Sequence, residues 1–186
     1  MGGIIQLCRA TPAERALSLA GDEHVVVPRL ITNHAVSIEA GREVVWPWLA
    51  QIGQGRGGFY SYSFLENMIG CRISNADRIH PQWQSVRLGD EIAIHPRARP
   101  LKVVSVEPNA HLVLSQDSPL RWTWSFNLRD QSSGGSRLIV RTRVDWRSRI
   151  SGLLIRPVMS FGHYVMERKM LLGIKVRAEK TQADRS

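Results

Sequence analysis

The strongest pattern in this chain is an alternation of large apolar and polar residues between positions 121 and 144. Successive residues of a β-strand point to opposite faces, so such an alternation predicts a strand with one apolar side. The first segment places four large side chains on one face: Trp122, Trp124, Phe126 and Leu128. After the turn-like residues 130–135, a second segment does the same: Leu138, Val140, Thr142 and Val144. The two segments predict a β-hairpin whose apolar face another element must cover.

Weaker patterns on both sides of this hairpin complete the order of elements. They predict a strand over 31–38, helical turns over 41–52, a short helix over 64–69, and strands over 90–95, 101–107 and 111–114. A long helix over about 157–177 is predicted from an apolar stripe at helical spacing: Leu154, Val158, Phe161, Val165 and Leu172. The order indicates an α+β fold in which an antiparallel sheet packs against one long helix. We expect an N-terminal extension over 1–27, one domain over 28–178 and a frayed polar tail over 179–186.

The composition is that of a single globular domain. Of 186 residues, 43% are hydrophobic and 22% are charged. No segment approaches the roughly 20 apolar residues of a transmembrane helix, and no secretory signal is evident, so we expect a cytoplasmic protein. Peripheral contact with a membrane surface is left open. Cys8 and Cys71 lie far apart and predict neither a disulfide nor a metal site, and we expect no cofactor.

The net charge of +9 raises the question of a nucleic-acid or anionic-surface partner. The basic residues are scattered along most of the chain, and their density rises only after Arg137. There, Arg141 and Arg143 fall on the strand face opposite the apolar one. We interpret this face as a solvated basic surface and rank nucleic-acid binding below it.

A set of short motifs resembles one protein family. The motifs are Val-Val-Trp-Pro-Trp-Leu-Ala-Gln-Ile-Gly at 44–53, Gly-Phe-Tyr-Ser-Tyr at 58–62, Leu-Glu-Asn at 65–67, Ala-Asp-Arg-Ile at 76–79, Leu-Gly-Asp at 88–90 and Met-Glu-Arg-Lys-Met-Leu-Leu-Gly-Ile-Lys at 166–175. Over about residues 31–175 the chain resembles a bacterial group of uncharacterised SRPBCC proteins, within the START-like, polyketide cyclase and lipid-transport superfamily. The resemblance implies a helix-grip fold, in which a curved antiparallel sheet wraps around a long C-terminal helix and encloses a hydrophobic cavity.

The resemblance also implies a range of functions. Members of the superfamily carry lipids, sterols or polyketides, and a few catalyse cyclisation or hydrolysis. Ser63 and Phe64 stand where the family pattern would place an acidic residue and a tryptophan, so no role of an acidic side chain is carried over to that position. Given the implied cavity, the candidate ligand-binding residues are Phe59, Tyr60, Trp122, Trp124, Phe126, Phe161, Met166 and Met170. A solid core would use the same residue types, and methionine also adapts to varied apolar ligands.

Three acidic or basic residues are candidates for catalysis. Glu66 and Asp77 could lie near the cavity entrance, where burial would raise a carboxyl pKa, or each could pair with an arginine such as Arg72 or Arg78. His163 lies one helical turn before Glu167, so the two could share a proton, hold a metal for which the sequence offers no third ligand, or form an ordinary pair on the helix surface.

The glycines at 53–58 match the spacing of a dinucleotide-binding loop, G-x-G-x-x-G, but lack the preceding strand and following helix. We expect them to form a loop at the cavity mouth instead.

The sequence supports three hypotheses of different classes. The leading one is a non-catalytic protein that binds or transports a hydrophobic small molecule, lipid-like or polyketide-like, between sheet and helix. The alternative is a cyclase or hydrolase that uses Glu66, Asp77 or His163 as acid or base. The third is a binder of nucleic acid or of an anionic surface that exploits the positive charge.

Overall fold

The computed structural model describes residues 8–68, 70–118, 120–132, 134–146 and 163–185. The helices are α1 (Pro12–Ala16), α2 (Arg42–Ala50), α3 (Ser63–Met68) and α4 (His163–Ala183), with 3₁₀ turns at Asp22–Val25 and Pro81–Trp83. The strands are β1 (Leu30–Ile38), β2 (Glu91–Ile92), β3 (Leu101–Glu107), β4 (His111–Gln116), β5 (Arg121–Asp130) and β6 (Ser136–Asp145).

One antiparallel sheet contains all six strands, in the order β1-β6-β5-β4-β3-β2. The predicted hairpin is confirmed, because β5 and β6 pair along their full length and Phe126 lies opposite Val140. Helix α4 packs against this curved sheet, so the chain has the α+β helix-grip fold that was predicted.

The main core lies between the inner face of the sheet and the helices. Apolar residues of β5 and β6 meet those of α4 and α2 there, as their alternation and helical spacing require. Phe126, Val140 and Leu138 of the hairpin are fully buried with Leu171 and Ile174 of α4. This packing brings the N-terminal half of α4 close to the tryptophans of β5.

The outer face of the hairpin is covered as well, which the sequence did not predict. Thr123 and Ser125 of β5 are 1% and 2% exposed, although they belong to the polar side of the alternation. The 3₁₀ turn at Asp22–Val25 contacts both β5 and β6. Residues 8–27 therefore cross the outer face of the sheet, and we call them the N-terminal strap.

The arginines of β6 hold this strap, so the expectation of a solvated basic face was wrong for them. Arg141 is 3% exposed and donates to a carboxylate oxygen of Asp22 at 2.6 Å. Arg143 donates to the other oxygen of Asp22 at 3.2 Å, and Arg137 donates to Glu14 at 2.7 Å. These three guanidinium groups bind two carboxylates within the fold, and Asp22 is shared by Arg141 and Arg143, so they do not form a solvated basic surface.

Some element bounds differ from the predicted ones. Helix α4 continues past Arg177 to Ala183, and its Glu179 pairs with Lys175 at 2.5 Å, so most of the expected frayed tail is helical. The predicted strand over 90–95 is reduced to Glu91–Ile92. The predicted helix start at 157–162 lies outside the described residues.

Candidate ligand-binding site

A cavity of about 160 Å³ lies between the sheet and α4. Its walls come from the segment after α2, from α3, from β5, from the loop after β2 and from α4. The described residues that line it are Phe59, Ser61, Glu66, Ile94, Trp122, Trp124, Met166, Glu167 and Met170. Most of these side chains are apolar, and the polar exceptions are two carboxyl groups and one hydroxyl.

The sheet side of the cavity is an aromatic wall. Trp122 and Trp124 follow each other on the inner face of β5, and their rings stack at 6.2 Å with 23° between the planes. Phe59 approaches Trp124 from the other side, with 6.0 Å between ring centroids. The period-two alternation of β5 thus supplies a flat apolar surface for a ligand.

The segment 59–61 is fixed in place by side-chain hydrogen bonds. Asn75 accepts from the Tyr60 amide at 2.7 Å and donates to the Ser61 carbonyl at 3.0 Å. The Ser61 hydroxyl donates to the Met166 carbonyl of α4 at 3.0 Å. Gly173 allows this close approach, because a Cβ there would overlap the Tyr60 carbonyl oxygen.

Helix α3 carries Glu66 into the cavity wall. The segment that follows this helix is held in place by Asn67, which accepts from the Ile73 amide at 2.6 Å and donates to the Ile73 carbonyl at 3.1 Å. Glu66 itself is 6% exposed, while Phe64 and Met68 on the same helix are 73% and 69% exposed. The helix therefore turns its one acidic residue inward and leaves apolar side chains in contact with solvent.

Glu66 is a buried carboxyl group, and no ion pair joins it to a lysine or arginine among the described residues. Burial raises its pKa from 4.5 to about 7, and within the part of the chain that the structure describes Oε2 has no hydrogen-bond partner. The arginine pairing that the sequence favoured for Glu66 was wrong. An unpaired buried carboxyl costs stability unless it is protonated or meets a ligand.

The second carboxyl group, Glu167, is held in a buried network. One of its oxygens contacts Nδ1 of His34 on β1, and the other accepts from the Trp124 indole at 3.0 Å. His34 and Glu167 are 7% and 3% exposed, and the Tyr164 ring lies 5.2 Å from the His34 ring. The interpretation of Glu167 as half of a helix-surface pair was wrong, because it lies in the core.

The structure places five of the eight predicted ligand-binding residues on the cavity wall: Phe59, Trp122, Trp124, Met166 and Met170. Tyr60 is 1% exposed and belongs to the core, where its hydroxyl donates to the Trp48 carbonyl at 3.0 Å and burial raises its pKa. Phe126 is also fully buried and lies behind Trp124. Phe161 and the side chain of His163 lie outside the described residues.

Asp77 and the glycine-rich loop do not reach this cavity. Asp77 is exposed and lies with Arg56 and Arg78 on a separate surface groove. The prediction that it lies near the cavity entrance together with Glu66 was wrong. Within residues 53–58, Gly53 and Gly58 form a tight bridge, and Arg56 donates to the Ala50 and Trp83 carbonyls at 2.8 and 2.9 Å. The loop is a structural turn and does not line the cavity mouth.

Sequence reasoning missed His34 as a site residue. It occupies an inward position of β1, directly opposite Val140 of β6, as its spacing of two from Val36 would have indicated. A polar residue at such a position needs a buried partner, and that partner, Glu167, is 133 residues away.

Neither a metal-binding cluster nor a membrane-spanning helix occurs within the described residues. Within the described ranges, no three His, Cys, Asp or Glu side chains are grouped closely enough to hold a metal ion. In that same part of the chain, no helix has the length and apolar character needed to cross a membrane.

Comparison with known proteins gives the fold and no more. Neither a protein-family model nor a curated protein matches the chain. The crystal structure of protein NE0264 from Nitrosomonas europaea matches with a TM-score of 0.50 and 13% identity, over 82% of this chain and 96% of that one. A protein of unknown function from Staphylococcus aureus matches with a TM-score of 0.49 and 12% identity, over 79% and 94%. The Aha1 dimer from Colwellia psychrerythraea matches with 0.46 and 16%, over 81% and 96%.

These neighbours are bacterial proteins, and their similarity to this chain is one of fold. The predicted SRPBCC family remains a prediction.

Proposed function

We propose that this protein binds a small hydrophobic molecule in the cavity between β5 and α4. The observation that carries the proposal is the cavity wall itself, in which Trp122, Trp124 and Phe59 form one side and Met166 and Met170 the other. Ligand sites are typically concave and mostly apolar, with a few polar groups that fix orientation. Glu66, Ser61 and Glu167 are such groups here.

The cavity volume limits the ligand. About 160 Å³ is close to the size of an apolar cavity that holds one benzene molecule. The cavity therefore suits a ring-sized body rather than a complete long-chain lipid. For a ligand of six or seven heavy atoms, a Kd on the order of 0.1–1 mM requires about 4–5.5 kcal/mol, which is about half of the ceiling of about 1.5 kcal/mol per heavy atom.

The test is binding of toluene to the full chain, followed through the Met166 and Met170 methyl signals in methionine-labelled NMR. We expect both signals to shift with toluene and the shifts to survive high salt, because the contacts are apolar. Trp124→Ala should change the affinity, whereas the signal of Met68, which is 69% exposed and does not line the cavity, should not move. If toluene leaves the signals of Met166 and Met170 unchanged, the proposal fails.

A second candidate function is acid–base catalysis on such a ligand. The observation that favours it is the presence of two carboxyl groups in different environments, because such pairs often divide the roles of acid and base. Glu66 has a pKa near 7 and could donate a proton at neutral pH, while Glu167 is held by His34 and Trp124. The earlier candidate Asp77 has no part in this arrangement.

Catalysis would be tested with Glu66→Gln against a panel of small hydrophobic esters and ketones. A turnover that falls above about pH 7 in the native chain and is lost in Glu66→Gln, with toluene binding unchanged, would support it. Turnover that Glu66→Gln leaves intact would exclude Glu66 as the acid.

A further inference from the structure

The two carboxyl groups of the cavity wall are negatively charged when ionised, whereas the protein as a whole carries a positive charge. The chain carries a net charge of +9, yet no lysine or arginine lines the described cavity wall. The ionisable groups on that wall are Glu66 and Glu167. A ligand with a carboxylate or phosphate inside the cavity would meet like charge, which is unfavourable in a site of low dielectric.

The two carboxyl groups differ in what they offer a ligand. Glu167 already contacts His34 and Trp124 with its two oxygens. Glu66, by contrast, is more than nine-tenths buried, and its buried oxygen Oε2 has no hydrogen-bond partner among the described residues. This unused acceptor is the polar contact that the cavity provides for an incoming molecule.

Trp122, Trp124 and Phe59 add a second feature that favours a cation. Aromatic faces carry partial negative charge and attract ammonium groups, most strongly where water is excluded. The carboxylate of Glu66 would form a charge-assisted hydrogen bond to the same group. The apolar and acidic parts of the wall thus suit the two ends of one molecule.

We infer that the ligand is a small primary amine with an aromatic or compact aliphatic body, whose ammonium group pairs with the carboxylate of Glu66. This inference rests on the proposed function and narrows its ligand class. The apolar body would lie against Trp122 and Trp124, and the ammonium group would donate a hydrogen bond to Oε2 of Glu66. When ionised, the same two carboxyl groups disfavour a carboxylate or phosphate group in the cavity.

The experiment compares benzylamine, benzyl alcohol and toluene, which share one ring and differ in the polar group. Each is titrated into the full chain at pH 8, where Glu66 is mostly ionised, and the Met166 and Met170 methyl signals report occupancy. We expect benzylamine to bind about 10- to 100-fold more tightly than benzyl alcohol, the range of one charge-assisted hydrogen bond. Glu66→Gln should remove that difference between benzylamine and benzyl alcohol.

Asp77→Asn is the matched control, because it removes one exposed carboxylate outside the cavity. It should leave the preference for benzylamine intact. If the three probes bind equally and Glu66→Gln changes nothing, the inference is overturned and the hydrophobic site stands. If no probe shifts the two methionine signals, the proposed function fails, and the inference fails with it.

Discussion

Trp124 of β5 donates its indole Nε1–H to Glu167 of α4 across 3.0 Å, so a hydrogen bond joins the sheet to the closing helix inside the core. Both residues are more than nine-tenths buried, and both line the cavity. A hydrogen bond from a neutral donor to a buried carboxylate contributes more to stability than a hydrogen bond between two neutral groups. The bond therefore holds the aromatic wall and the helix at a fixed separation.

Trp124→Phe should lower the free energy of unfolding by more than the loss of ring area alone. It keeps an aromatic ring in the wall but leaves one oxygen of Glu167 without its indole donor. We expect an additional loss of about 1.5–3 kcal/mol, measured by urea denaturation.

Trp122→Phe is the control for this change. Its buried indole nitrogen has no hydrogen-bond partner in the described ranges, and its ring lies in the same wall. Trp122→Phe should lower the free energy of unfolding by less than Trp124→Phe does. The difference should be roughly the contribution of the hydrogen bond between Trp124 and Glu167. Equal losses in the two variants would mean that the bond to Glu167 contributes nothing to stability.

His34 and Glu167 should show strong energetic coupling. Replacing His34 by leucine leaves a buried carboxylate without its histidine partner, which typically costs about 3–5 kcal/mol. Adding Glu167→Gln to that variant should recover part of the loss, because an amide is cheaper to bury than a charge. A double-mutant cycle in urea measures the coupling, expected above about 1 kcal/mol.

The pair His111 and Glu107 provides the comparison. They lie 3.8 Å apart at the surface, where Glu107 is 70% exposed in its side chain. The same cycle there should give less than about 1 kcal/mol. Additive effects at His34 and Glu167 would contradict the reading of these residues as one buried unit.

The sequence predicted the sheet and the aromatic wall because both follow from local periodicity. Trp122, Trp124 and Phe126 share a face in any strand with a period of two, and the hairpin brings Val140 opposite Phe126. What the pattern could not give is which of these side chains borders empty space. Phe126 and Trp124 are equivalent in sequence, yet only Trp124 lines the cavity.

The contacts of the polar residues in the site could not be predicted, for a different reason. His34 and Glu167 are 133 residues apart, and nothing local to either one identifies the other. Glu66 was a candidate, but its arginine alternatives, Arg72 and Arg78, were near in sequence, and only the packing of α3 shows that neither reaches it. The covering of Arg141 by the strap was missed because an exposed and an ion-paired arginine look the same in an alternating strand.

Arg141→Lys should loosen the N-terminal strap while keeping the charge. The guanidinium of Arg141 donates to Asp22 and Asn33 side chains and to three strap carbonyls: Leu17, Glu14 and Arg15. A lysine has three donors on a single atom and cannot span this set. We expect a loss of about 1–3 kcal/mol in the free energy of unfolding and faster hydrogen exchange over residues 12–25.

Arg129→Lys, at an exposed position of β5, is the control for Arg141→Lys. It should change stability by no more than about 0.5 kcal/mol. In both variants, the rate of hydrogen exchange in β5 and β6 should change only as far as the global stability changes. If the strap exchanges at the native rate in Arg141→Lys, the arginine does not hold it.

Glu66 should make stability depend on pH in an unusual direction. Burial raises its pKa from 4.5 to about 7, so the folded chain binds this proton more tightly than the unfolded chain does. The contribution of Glu66 to the free energy of unfolding is therefore fully present below about pH 4.5 and is lost as the pH rises through 7. At about 1.4 kcal/mol per pKa unit, the loss is about 3 kcal/mol.

Glu66→Gln isolates this contribution, because glutamine keeps the shape of the side chain and does not titrate. The difference in free energy of unfolding between Glu66→Gln and the native chain should rise by about 3 kcal/mol, in favour of the variant, from pH 4.5 to pH 8. Urea denaturation at half-unit pH steps measures it, and Asp77→Asn should show no such rise. A difference that stays flat would mean that Glu66 finds water or a counter-charge on ionisation, and the unpaired acceptor that would hold an ammonium group would then not exist.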